Sequence, residues 1–297
     1  MEELAIVILN YNCINQTEKC VDQLISFNLP FHIIIVDNNS SDNSYSSLLM
    51  RYENVLAVDV IKSEINGGYS AGNNFGIRYA KNKYGVKYIA IMNPDVIVDE
   101  SDTFQAMLKV IKNQDKCAIV GVTVIDIQGM HSINNSAWVI PSPTEFVLRN
   151  SSFYKKKKYK PYFTDYEGNS IAVVDCIAGC FFMADLEIME KIGFLDECLF
   201  LYNEEILLGY KLKEIGYREI LLSNYSCKHN HINSNKITAK QYLIGRKKRF
   251  ASDIMLCKKI YPHVTKFFLF IVEYFNRGIM LIWISLNHFK GVNDEEL

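Results

Sequence analysis

Asp95 follows Asn93 and Pro94 at the tip of the run KYIAIMNPDVIVDE, residues 87–100. Tyr88 to Ile91 reads as a strand, and Pro94 cannot donate to a sheet ladder, so the strand stops there with a carboxylate at its end. Asn, Pro and Asp also build ordinary turns, so the tripeptide serves a functional site or a bend equally well. Glu204 and Glu205 open a helical segment after Phe200-Leu201-Tyr202. Acidic residues suit a helix's first turn, and the same carboxylates in a partly dry pocket suit a general base. His229-Asn230-His231 follows a short strand, EILLS at 219–223. Two histidines near a sheet edge fit a metal ligand or a phosphate donor, and equally a solvated surface.

The stretch from Asn66 to Ile77, NGGYSAGNNFGI, is the most unusual in composition. Its glycines with Ser70 and Ala71 let backbone approach a ligand, and the helix start behind them offers free N–H groups to an anion or a base edge. Tight helix-on-sheet packing is the alternative use of the same glycines. Neither the G-x-G-x-x-G fingerprint nor a P-loop is present, which weighs against a dinucleotide oxidoreductase.

These residues need a scaffold, and the apolar runs supply one. LAIVIL at 4–9 suits a strand buried on both faces and ends in Asn10-Tyr11-Asn12; a helix follows over about 17–27. HIIIV at 32–36 ends in Asp37-Asn38-Asn39, a third strand over about 55–61 leads to Asn66, and a helix from about Ser70 runs into the strand before Asp95. Alternating strands and helices predict an α/β fold with a doubly wound, mostly parallel sheet. In such sheets the carboxyl edge of the strands is the ligand crevice, and four polar strand ends fall there.

The second half is less regular. A helix near 101–112 and a strand near 118–126 precede a polar stretch, 128–169, holding Trp138, Pro141, Pro143 and the lysine run 155–158. It is expected to be a mobile loop or an acceptor-side flap. Strand-like sequence resumes at 171–184; a helix over 186–192, a turn at 193–196 and a helix from Glu204 come after it.

At 297 residues, 49% hydrophobic and 22% charged, the chain describes a folded globular protein. A net charge of −1 argues against a nucleic-acid partner, although Arg246 to Arg249 and the lysine run concentrate positive charge that suits phosphates, anionic lipid or a solvated face. Eight cysteines without a C-x-x-C pair or zinc spacing read as reduced core residues, which points to a cytoplasmic protein. MEELAIVILNYN turns polar too early for a signal-peptide core. From Lys236 onward the composition changes. The apolar stretch 264–286 is broken by Lys266, Glu273, Asn276 and Arg277, so two helices packed on the domain, on another subunit or in a membrane interface fit better than a transmembrane span.

Taken in order, IVILNYN, VDNNSSDNS, NGGYSAGNNFGI, IMNPDV, AGCFFMADLEIMEKIGFLDECLFLYNEE and KHNHINS resemble the inverting family 2 glycosyltransferases, especially the rhamnosyltransferase-like branch, over roughly residues 4–235. The resemblance implies a GT-A fold, with a Rossmann-like sheet in a catalytic domain of residues 1–235 and a helical extension over 236–297. It implies a nucleotide-diphosphate sugar donor, dTDP-rhamnose or a UDP-sugar, and Mg²⁺ or Mn²⁺. The acceptor would be a glycan or a polyprenyl-linked glycan of a surface polysaccharide, reached at the inner face of the cell membrane.

Carried over residue by residue, Asn10, Tyr11 and Asn12 lie where the first strand meets the nucleotide, and Asp37 with Asn39 where base or ribose binds. Asn66, Gly68, Ala71 and Asn74 fall in the nucleotide loop. Asp95 corresponds to the metal-binding aspartate of the D-x-D signature, read N-P-D in this branch, which places Asn93 beside it. A hard divalent cation is satisfied by one carboxylate, diphosphate oxygens and water. His229 matches the histidine that completes the metal site, with His231 as the alternative. The general base is the second acid of the family's E-D pair, hence Glu205, with Glu204 as the other register. The pair here is Glu-Glu, and Leu207 stands where a further acid is usual. That departure motivates a second reading, a sugar-nucleotide-binding protein without turnover.

Overall fold

Uninterrupted apolar strands must be covered on both faces, and their period of two divides the core into two layers. In β1 (Leu4–Asn10), Leu4, Ile6 and Ile8 pack with Val21, Leu24, Leu48 and Phe104, while Ala5 and Val7 pack with Ile77, Ala80 and Leu208. The computed structural model describes residues 2–125, 129, 133–151, 154, 159–230 and 239–293. After β1 come α1 (Ile14–Ser26), β2 (His32–Asp37), α2 (Ser44–Tyr52), β3 (Val58–Lys62), α3 (Gly68–Tyr84), β4 (Tyr88–Met92), β5 (Val96–Val98), α4 (Thr103–Asn113) and β6 (Cys117–Ile125). The short elements α5 (Ile133–Ser136), β7 (Ala137–Trp138), α6 (Pro143–Leu148) and β8 (Thr164–Tyr166) lead to β9 (Asn169–Val174), β10 (Cys176–Ile177), β11 (Phe181–Asp185) and α7 (Leu186–Lys191). The chain closes with α8 (Glu204–Glu214), β12 (Arg218–His229), α9 (Ala239–Ile260) and α10 (His263–Asn293).

The main sheet has the order β3-β2-β1-β4-β11-β6-β12-β9-β8, with β5 added to β12. β1 lies parallel to β2 and β4, and β6 parallel to β12; β11 is inserted antiparallel between β4 and β6. Helices α1, α2 and α4 contribute to one core layer, and α3, α7 and α8 to the other. From β1 the chain winds outward through β2 and β3 and returns by α3, on the opposite face, to β4 on the far side of β1. The carboxyl ends of β1 and β4 therefore flank a topological switch point, where α/β sheets bind ligands.

Several boundaries differ from expectation. Helix α2 is not expected from sequence because only Ser44, Leu48 and Tyr52 are buried, too thin an apolar stripe to register among serines. α1 begins at Ile14, and α3 at Gly68. Gly72 and Gly76 serve packing: a Cβ there would fall 2.4 Å from Leu9 and 2.6 Å from Val7. β12 runs 12 residues, well past the apolar EILLS, with an irregular register between Leu222 and Ser226. The stretch 128–169 carries short elements; its lysine run 155–158 lies outside the described residues, as does His231 beyond β12.

Contacts divide the chain into two compact units, Met1–Ile140 with Tyr159–Ile232, and Pro141–Lys158 with Asn233–Leu297. Segment 141–158 thus groups with the C-terminal helices. In this second unit Phe146 packs on Tyr261 with ring centroids 4.8 Å apart, and the Tyr261 hydroxyl donates to Pro141 O at 2.7 Å. Glu273, nearly buried, is held by Arg246 and Arg277. Phe267, Phe268, Phe270, Ile271, Tyr274 and Phe275 of α10 are exposed. Among the described residues no helix is long and apolar enough to cross a membrane.

Candidate active site

Asn10 and Asp37 end neighbouring strands as register partners, and both are fully buried. Asn10 Nδ2 donates to Asp37 Oδ2 at 2.9 Å and to Ser40 Oγ at 3.1 Å, while Thr17 Oγ1 donates to Asn10 Oδ1 at 2.8 Å. Ser40 N donates to Asp37 Oδ1 at 3.0 Å. These side chains shape the crevice wall from within. Tyr11, Asn12 and Asn39 are the exposed members of this corner. Asn12 and Asn39 take positive φ, 54° and 58°, a conformation that Asn tolerates. The Ser41 backbone N–H donates to Asn12 Oδ1 at 2.8 Å and ties the two loops together.

The glycine loop is clamped from two sides. Asn38 Nδ2 donates to Asn66 Oδ1 at 3.0 Å and to Gly68 O at 3.2 Å, and Gly68 N donates to Asn66 Oδ1 at 3.0 Å. Gly68 has φ of +85°, and a Cβ there would stand 2.1 Å from Phe200 O, so only glycine fits. Phe200 O also accepts from Tyr69 N at 2.9 Å. Ala71, half-buried, lies in the first turn of α3. Asn74 is not brought into this site. It is fully buried, its Nδ2 donates to Leu195 O and Glu197 Oε1, both at 2.8 Å, and it fixes the turn after α7 instead.

Asp95 meets His229 because β5 pairs antiparallel with the end of β12, with Val96 opposite His229. Asn230 N donates to Asp95 O at 2.9 Å, and His229 Nε2 lies 3.2 Å from Asp95 Oδ1, with both side chains mostly buried. Burial works against charge on the imidazole, but Asp95, with Cys180 beyond it, overcomes this and pushes the His229 pKa up to about 10. Among the described residues no group of three or more His, Cys, Asp or Glu side chains could hold a metal. One carboxylate, with an imidazole that gives up its proton to become a ligand, fits a divalent cation that takes its remaining ligands from phosphate and water.

The second half of the site rests on the turn before β11. Asn93 N donates to Cys180 O at 2.8 Å; one residue earlier, Gly179 N donates to Glu205 Oε1 at 3.4 Å, and Gly179 O accepts from the Tyr69 hydroxyl at 2.5 Å. Asn93 beside Asp95, Glu205 and the glycine loop thus touch two consecutive residues. Helix α8 is entered through two successive left-handed residues, Tyr202 (φ 73°) and Asn203 (φ 68°), a strain that concentrates at functional sites. Glu204 is 8% exposed. Burial, then the neighbouring Glu205 charge, raises its pKa from 4.5 to about 8. Glu205 is less buried than its neighbour.

Sequence reasoning overlooks Tyr69, Gly179 and Glu219. Tyr69 stands inside the glycine loop, where composition draws the eye to its neighbours. Glu219 is a charge at the head of an apolar strand, a signal present in EILLS but not used.

The chain is 28% identical over 214 residues to the low-salt glycan biosynthesis hexosyltransferase Agl10 of Haloferax volcanii, covering 72% of this chain and 62% of that protein. It is 24% identical over 218 residues to the rhamnosyltransferase WbbL of Escherichia coli, covering 72% and 78%. The fold matches the mannosyltransferase PcManGT of Pyrobaculum calidifontis, solved with GDP-Man and Mn²⁺, with a TM-score of 0.56 at 15% identity over 92% of this chain and 69% of the other. That match shows a GT-A fold. The profile of glycosyl transferase family 2 matches residues 5–193, well over half of the sequence, and the chain belongs to that family.

Proposed function

We propose that this protein transfers a sugar from a nucleotide-diphosphate sugar, dTDP-rhamnose or a UDP-sugar, to a hydroxyl of a glycan or polyprenyl-linked glycan, with inversion. The observation that carries the reading is the shared turn at Gly179 and Cys180, which joins Glu205 to the Asn93-Pro94-Asp95 corner. Tyr11, Asn12, Asn39 and the Asn66–Gly68–Ala71 loop would receive the nucleotide; Asn10 and Asp37 would set the crevice behind it. Asp95 and His229 would hold a divalent cation, Mg²⁺ or Mn²⁺, which when bound supplies positive charge against the departing diphosphate.

Glu205 takes the proton of the acceptor hydroxyl. The oxygen then attacks the anomeric carbon opposite the diphosphate, which leaves with the bonding electron pair; one displacement inverts the centre. Glu204 is the weaker candidate for base because burial keeps it protonated at neutral pH. An acceptor on a lipid carrier at the inner face of the membrane is supported by the exposed aromatic face of α10. A second copy of the chain is the competing cover for that face.

A donor panel tests the reading: purified protein should release nucleoside diphosphate from one donor class only with Mg²⁺ or Mn²⁺ present. Asp95→Ala should abolish release and metal-dependent donor binding. Binding without release across the panel, with and without glycan acceptors, would replace transfer with the sugar-nucleotide-binding reading.

A further inference from the structure

Glu219, the second residue of β12, faces the same core layer as Leu221 and Leu208 and is only 2% exposed. Its Oε2 accepts from the Ile177 backbone N–H at 2.6 Å, and its Oε1 has no hydrogen-bond partner. An orphaned oxygen at such depth is costly, and a carboxylate charge there would be costlier still. Glu219 lines a small cavity together with Tyr69, Gly179, Glu204, Glu205 and Leu208. The ionisable groups near Glu219 include Glu204, Glu205, Tyr69, Asp175 and the buried Cys117, and Lys213 is paired with Asp175 at 2.9 Å. The cavity lining contains no cation. Burial, followed by the charges of Glu205 and Asp175, holds the Glu219 pKa well above the carboxylate range against the opposing Ile177 hydrogen bond. With Oε2 engaged as an acceptor, the acid's proton belongs on Oε1.

We propose that Glu219 is a positioning residue for the base: a neutral carboxylic acid whose Oε1–H donates into this cavity toward the Glu205 carboxylate and so fixes the pair's single negative charge on Glu205. The inference rests on the glycosyl-transfer reading for its kinetic consequence but not for its chemistry. A hydrogen bond to the charged form lowers a carboxyl pKa, so the donor keeps Glu205 ionised next to Glu204. Glu219→Gln keeps both an acceptor for Ile177 and an N–H donor for the cavity; Glu219→Met keeps the volume and removes both.

The test is the acid limb of the kcat–pH profile. Glu219→Gln should leave it in place, and Glu219→Met should move it up by about one pH unit. An unmoved limb in Glu219→Met, or an equal shift in both variants, overturns the proposal. A measurement on the unmodified protein covers a Met variant that fails to fold: the side-chain carboxyl ¹³C resonance of Glu219, assigned by its absence in Glu219→Gln, should lie at the shift of a protonated carboxyl and show no titration step between pH 5 and 8, and a resonance at the ionised shift refutes the proposal. A step in that range refutes a neutral Glu219. This spectrum needs no turnover, so absence of transfer with a flat Glu219 resonance sinks the enzymatic reading alone.

Discussion

Replacing Glu204 by Gln should change how stability depends on pH. Glu204 holds its proton up to about 8 in the folded chain and releases it near 4.5 when unfolded, so between those values the folded state binds the extra proton. Its contribution is fully present below pH 4.5 and is lost as pH rises toward 8. Each unit of that window corresponds to about 1.4 kcal/mol for one proton, on the order of 4 kcal/mol across it, and at 8% exposure solvent screens little of this. Gln has nearly the same shape and nothing to titrate. Urea unfolding at half-unit steps from pH 5 to 8, monitored by circular dichroism, should therefore give wild-type and Glu204→Gln curves that diverge, with the wild type losing about 1.4 kcal/mol per unit relative to the variant. The comparison is a difference, so acids unaffected by the substitution cancel. Parallel curves would mean that Glu204 is already ionised in the folded protein. Glu205 would then no longer be the only charged member of the pair, and its assignment as the base would lose its electrostatic support.

Two further outcomes rest on the geometry. Glu205→Gln should bind donor as the wild type does but lose at least ~10²-fold in kcat, measured by diphosphate release; the same phenotype from Glu204→Gln alone would assign the base to the other register. Gly68→Ala should destabilise the fold by at least ~2 kcal/mol in urea titrations, because the new Cβ meets both a left-handed backbone and the Phe200 carbonyl; a variant as stable as wild type would show that the loop moves freely away from Phe200.

The strands of the switch point were legible in sequence because LAIVIL, IIIV and YIAIM are apolar without interruption, and each runs directly into polar residues. The contact between His229 and Asp95 was not derivable from pattern. Asn224, Tyr225 and Ser226 interrupt the apolar run, so β12 looks half its length, and the three-residue β5 is too short to announce itself as the strand that receives it. The glycine-rich stretch offered close backbone approach and tight packing as alternatives, and its glycines divide between them: Gly68 lies against the Phe200 backbone, whereas Gly72 and Gly76 seat α3 on β1 and β2. Asn74 shows the limit of composition, since only the direction of its side chain separates a ligand contact from a support for residues 195–197. The choice between Glu204 and Glu205 likewise depends on burial, which two adjacent acids at a helix start do not reveal.

The short β5–β12 ladder also has a kinetic consequence. Asp95 and His229 lie about 130 residues apart in the chain, and their ladder spans three residue pairs. Loop-closure entropy must be overcome before so distant a pairing returns any energy, so this corner closes late in folding. A ribosome-bound or nicked chain with the first four strands in place still lacks it. Whatever the corner binds, it binds only in a completely folded first unit, and ligand affinity doubles as a gauge of how far folding has gone.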